Sequence, residues 1–118
     1  MPRSMPDAPT LLSAAVKYLE EELMPTLAGY HRFKTRVTVN ALGVIRREAE
    51  LRAAQAAAEA LRLTAILGHE GELEALSAEL AQRIREGAIS VDDPAMRAHV
   101  RQSLADALAI NNPKWLDR

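Results

Sequence analysis

Between Tyr30 and Leu51 the chain reads YHRFKTRVTVNALGVIRREAEL, and the text that follows, RAAQAAAEALRLTAILG, has no breaker until Gly68. A stretch so rich in helix formers constrains the fold before anything else does. Placed on a helix at about 100° per residue, Phe33, Val37, Val44 and Leu51 share one narrow stripe, which is expected to face a core. Leu42, Val39 and Ile45 project elsewhere, so the segment is expected to be the central helix of a bundle, with neighbours around much of its circumference. Length raises an objection to one continuous element. A helix running on to Leu67 would span about 57 Å at about 1.5 Å per residue, long for a compact domain of this size. A break is therefore expected near Arg52 to Ala54, after which Ala54, Ala58, Leu61 and Ala65 form a small-residue face for close packing.

Beside the apolar stripe lies a polar strip. Arg36, Asn40, Gly43 and Arg47 fall within about 60° of one another, with Glu48 on the other flank. A buried guanidinium or amide without partners costs several kcal/mol, so these groups must reach solvent, hold a ligand, or pair with carboxylates. Two guanidiniums and an amide on one face are suited to a phosphate or carboxylate, because arginine offers paired donors in a planar fork. The structural alternative is an internal network in which Arg36 and Arg47 pair with acids such as Glu79 or Asp106 and set helix register.

Composition bounds the remaining choices. The 118 residues are expected to form one domain over residues 7–118, preceded by a flexible arm over residues 1–6 that holds two prolines. Aromatic residues make up only 3% of a chain that is 48% hydrophobic, so its core must come from Leu, Ile, Val and Ala. Fifteen basic against sixteen acidic residues leave a formal charge of −1, which offers no general attraction to nucleic acid or an anionic membrane. Without cysteine there is no disulfide, thiolate metal site or cysteine nucleophile. MPRSMPDAP lacks the apolar segment of a signal peptide, and no run approaches the roughly 20 apolar residues of a membrane span, so a cytoplasmic location is expected.

Other helices follow from local signals. Asp7 is a plausible N-cap for a helix reaching Leu23, with Leu12, Val16, Leu19 and Leu23 inward and Pro25 as terminator. Its acidic run Glu20 to Glu22 points in three directions and reads as a solvated face. Gly68 should end the helical text before it, and Leu73, Leu76, Leu80 and Ile84 mark the seam of the next helix, which Gly87 stops. Asp92 or Asp93 should cap a last helix with Pro94 in its first turn and with Met96, Val100, Leu104 and Leu108 inward, ending near Ile110.

Catalytic and metal motifs are not recognised. His31, His69 and His99 occupy different elements without ligand spacing and read as loop polarity; His69 begins a HExxH-like word that lacks its second histidine. Ser13, Ser77, Ser90 and Ser103 stand outside any nucleophile-elbow pattern, and only residue type speaks for Glu48 as a base. A helix-turn-helix over residues 72–109 is disfavoured, because AISVDD is longer than that motif's turn and few basic residues begin the second helix. Trp115, the single tryptophan, is expected to pack back and tie down the tail; an exposed partner-binding anchor is the alternative.

FKTRVTVNALGVIRREAEL and LADALAINNPKW, with PDAPTLLSAAVKYLEEEL before them, resemble the conserved words of an uncharacterised family of small bacterial all-helical proteins. Arg36, Val37, Asn40, Arg47, Glu48, Asn112 and Pro113 stand on the matching positions. RAAQAA replaces a glycine-proline break that is common in that family. Its members are often encoded near acyl-CoA dehydrogenases and aminoglycoside-phosphotransferase-like kinases, so the resemblance implies an accessory place in acyl-CoA metabolism and no defined activity.

The expectation is an all-α, compact bundle of about five helices. The expected role is that of a non-enzymatic accessory or interaction protein, which the family resemblance would link to acyl-CoA metabolism, and no cofactor, nucleic acid or membrane partner is expected. Scarce aromatic bulk points to a homo-oligomer. The alternative is a protein binding a phosphate-bearing or acyl-CoA-like ligand through Arg36, Asn40, Arg47 and Glu48.

Overall fold

The structure, a computed structural model, describes residues 6–117. Apart from Pro6, the arm expected over residues 1–6 lies outside the described residues. Among those residues there are four α-helices and no strand: α1 (Ala8–Lys17), α2 (Gly29–Leu67), α3 (Leu73–Arg85) and α4 (Pro94–Asn111). The fold is all-α, with four helices where about five were expected. The difference is at Arg52 to Ala54, which α2 passes through without interruption over its 39 residues. Alanine is the strongest helix former, and nothing in RAAQAA withholds an N–H or favours another backbone region. The length objection presumed a single compact body. Residue proximity instead resolves the chain into two compact units, Met1–Arg52 and Ala53–Arg118, and the boundary falls where the break was expected.

In the first unit, Asp7 caps α1 by accepting the Thr10 N–H at 3.0 Å, and Pro9 sits in the first turn. After Lys17 the helix widens into a π-helical turn, Tyr18–Leu23, and then tightens into the 3-10 turn Met24–Thr26 around Pro25. Thr26 Oγ1 donates to the Leu23 carbonyl at 2.6 Å, satisfying one of the acceptors left over where the helix stops. Leu12, Val16, Leu19 and Leu23 are half-buried.

The face that α2 buries here is not the expected one. Val39 and Gly43 are buried and Thr35, Leu42 and Arg46 half-buried, an arc of about 100°. On the opposite side Phe33 is 64% and Val37 46% exposed, while Val44 and Leu51 are half-buried. Both arcs carry apolar residues, so periodicity alone could not say which one would be buried.

The second unit has the denser core. Leu63, Leu67, Leu76, Leu80 and Met96 form one buried cluster, flanked by Ile66, Leu73, Ile84 and Ile89. The seam expected on α3 is therefore the one observed. Gly68, at φ +85°, turns the chain out of α2 while its N–H donates to the Thr64 carbonyl at 2.8 Å; most side chains resist that backbone conformation. Of the two candidate caps for α4 it is Asp93 that serves, accepting the Met96 N–H at 2.9 Å. The helix ends before Pro113, and a 3-10 turn, Pro113–Asp117, carries Trp115.

Two expected faces in this unit are corrected. Ala54, Ala58, Leu61 and Ala65 point outward, with Leu61 74% exposed, because Leu63 and Leu67 are the residues that meet α3. On α4, Met96 is buried, but Val100 and Leu104 are exposed, and His99 and Ile110 are buried in their place. A strict spacing of four drifts by about 40° per step, so Met96, Val100, Leu104 and Leu108 wind around the helix rather than along one side. The side that stays inward is 96, 99, 103, 106 and 110, and it includes three polar residues.

These burial differences give a direct check by urea denaturation. Leu63→Ala should cost about 3 kcal/mol through lost transfer energy and a residual cavity, whereas Leu61→Ala should cost less than about 1 kcal/mol.

Candidate functional site

The polar strip is only partly assembled. Arg36 is exposed and places Nη1 3.4 Å from Glu20 Oε2 on the π-helical turn. Asn40 and Glu48 are exposed. Arg47 folds back along α2, so that a Cβ added at Gly43 would stand 3.1 Å from its Nη1; the buried glycine makes room for the guanidinium. Arg36 and Arg47 are therefore turned to different neighbours. The acids proposed as structural partners have their own: Glu79 accepts from His69 Nε2 at 2.8 Å and from Arg83 at 2.6 Å, and Asp106 stands 4.0 Å from Arg62.

A second polar group, in the second unit, is not among the sites expected from the sequence. His99, expected to add loop polarity, is 6% exposed on the inward side of α4. Arg62 on α2 donates from Nε to His99 Nδ1 at 3.0 Å and from Nη2 to Ser103 Oγ at 3.3 Å. Gln55 Nε2 donates to the Asp106 carbonyl at 3.0 Å, and Gln102 Nε2 to its carboxylate at 2.9 Å. His99, Ser103 and Asp106 follow one another by four and three residues, the spacing of one helical face. The signal was present in that spacing and was masked by the leucines around it.

The wiring of this group decides its chemistry. An activated serine needs an imidazole hydrogen-bonded to its Oγ and a carboxylate holding the other ring nitrogen. Here His99 Nδ1 and Ser103 Oγ both accept from Arg62, and Asp106 is engaged by Gln102 and Arg62. The arrangement cross-links α2 to α4 through a shared guanidinium and does not prepare a nucleophile. Since an arginine Nε–H is always a donor, His99 must be neutral with its proton on Nε2. Burial pushes the His99 imidazole below its ordinary range, the Arg62 charge pushes it further, and Glu59 opposes.

His69 behaves in the opposite way. It lies in the connection between α2 and α3, where the Glu70 carbonyl and then the Glu79 carboxylate raise its pKa. Among the described residues no three His, Asp or Glu side chains stand together as metal ligands would. No helix among them is long and apolar enough to cross a membrane. Trp115 is 55% exposed, and its backbone N–H donates to the Asn112 carbonyl at 3.1 Å.

Two measurements check these assignments. Arg36→Ala should lower stability by less than about 1 kcal/mol, the range of an exposed ion pair. The second is the pH dependence of stability. A group whose folded pKa is depressed takes up its proton first in the unfolded chain, so the His99 contribution is complete above about pH 6.5 and is lost as pH falls below it. His69 has the opposite sign, its contribution being present at low pH and lost as pH rises through its raised pKa. Comparing unfolding of the native chain and His99→Asn from pH 7.5 to about pH 5 isolates the first term. The native chain should lose the more stability on acidification.

Among known proteins, the family model described as a domain of unknown function, DUF6285, matches residues 25–115. That span takes in the polar strip, the cluster around Arg62 and Trp115. Searches of curated proteins and of solved structures gave no match. The chain belongs to the DUF6285 family of domains of unknown function.

Proposed function

We propose that this protein is a non-enzymatic accessory protein that works by binding another protein surface, and that its working surface is the outward arc of α2 in the first unit. The observation that carries this reading is the exposure of Tyr30, Phe33 and Val37, at 67%, 64% and 46%, on the side of the helix away from Val39. Aromatic and branched side chains at one helical face are the usual anchors of helix-mediated binding, and contiguous apolar patches are uncommon on surfaces that meet only water. Trp115 is a further exposed aromatic of the same kind in the second unit. A role in acyl-CoA metabolism, in the cytoplasm, is part of the proposal and rests on the family resemblance and composition alone.

The rival is a phosphate-bearing or acyl-CoA-like ligand at Arg36, Asn40, Arg47 and Glu48. It requires Arg36 to leave Glu20 and the Arg47 guanidinium to lift away from Gly43, which favours the binding-surface reading.

The test is the doubly substituted full chain, Phe33→Ser with Val37→Ser. Its far-ultraviolet circular dichroism should match that of the native chain, since neither residue is buried. Associations of the native chain, followed by sedimentation and by affinity capture from the host, should be lost. A variant that keeps them all overturns the reading.

A further inference from the structure

We propose that the outward arc of α2 in the first unit pairs with the same arc of a second copy of this chain, the two helices running antiparallel about a two-fold axis level with Leu42. The proposal rests on the binding-surface reading above and names its occupant.

Spacing is the first support. Tyr30, Phe33, Val37, Asn40, Val44, Arg47 and Leu51 follow one another at alternating intervals of three and four residues. That is the repeat by which one helix keeps a single seam against another over successive turns. On the seam Tyr30, Phe33, Val37 and Asn40 are exposed on the side of the helix away from Val39, while Val44, Arg47 and Leu51 are half-buried. The first unit also lacks what the second has. Among its described residues the large apolar side chains that are buried are Met24 and Val39, against a cluster of five in the second. A partner on the seam would supply the missing apolar cover.

Charge identifies that partner and its direction. Lys34 and Arg36 flank the N-terminal half of the seam, and Glu48 and Glu50 flank the C-terminal half on the same two sides. A second copy laid antiparallel across Leu42 brings Lys34 to Glu48 of the partner copy and Arg36 to Glu50 of the partner copy. The two-fold axis repeats each pair, giving four opposite-charge contacts. In the seam, Phe33 meets Leu51 of the partner copy, Asn40 meets Val44, and Val37 lies on the aliphatic stem of Arg47. A parallel, in-register pair would stack Arg47 on its own copy and bring none of these flanking charges together. The contacts that Arg36 and Glu50 make now, with Glu20 at 3.4 Å and Arg46 at 4.0 Å, are surface pairs of small worth and would exchange readily.

Sedimentation equilibrium on the full chain over micromolar concentrations, with circular dichroism as the folding control, tests this. The native chain should be a reversible dimer. Lys34→Glu with Arg36→Glu turns four attractions into repulsions and should weaken the dimer at least about tenfold, as should Glu48→Lys with Glu50→Lys. An equimolar mixture of the two doubly substituted chains should form a heterodimer at least as tight as the native dimer, which neither achieves alone. A native chain that stays monomeric overturns the pairing. So does a dimer indifferent to the reversals, or a mixture that fails to associate. If the monomeric chain still captures another protein and Phe33→Ser with Val37→Ser abolishes that capture, the binding-surface reading survives while the self-pairing does not. If that variant keeps every association, both fall.

Discussion

The structure depends on helix α2 remaining helical through Arg52 to Ala54. That stretch is exposed, so its continuity comes from backbone propensity: alanine loses least on entering a helix, and RAAQAA contains nothing that competes for the backbone. Because α2 persists, one element serves two cores. Its first half supplies Val39 and Gly43 to a small packed arc, and its second half supplies Leu63 and Leu67 to the leucine cluster. The two units differ accordingly. One is closed by large aliphatic side chains, while the other leaves its largest side chains on the outside.

Within the second unit, the polar face of α4 tells how a buried histidine is tolerated. An imidazole taken out of water is accommodated when it is neutral and one of its nitrogens has a partner. Arg62 provides that partner and stays partly exposed itself, so no unpaired charge is sealed into the core. The cost is conditional stability: the arrangement requires His99 to stay uncharged, and acid removes that condition.

Local signals were legible in the sequence. Asp7, Pro25, Gly68, Asp93 with Pro94, and Pro113 mark helix ends through chemistry contained within a few residues: the two aspartates accept a first-turn N–H, Gly68 takes φ +85°, and proline either fits a first turn or cannot carry a helix on. The seam of α3 was equally legible, because Leu73, Leu76, Leu80 and Ile84 have only polar or small residues around them on the wheel. α4 was misread because spacing by four imitates a face that a 3.6-residue period does not keep, and the inward row of His99, Ser103 and Asp106 was discounted for being polar. The strip of Arg36, Asn40 and Arg47 was correctly placed on one helix. What its members touch was not, since side-chain partners such as Glu20 depend on how α2 meets the turn before it.

The sequence by itself determined an all-helical chain, the ends of most of its helices and the residues that could form faces, because propensity, capping and turn chemistry act over one or two turns of backbone. Tertiary structure alone decided which faces are inside. On α2 two apolar arcs lie on opposite sides of one cylinder, and the energy of burying either is similar until a neighbour arrives. The neighbour came to Val39 and Gly43, and Phe33 and Val37 were left facing out.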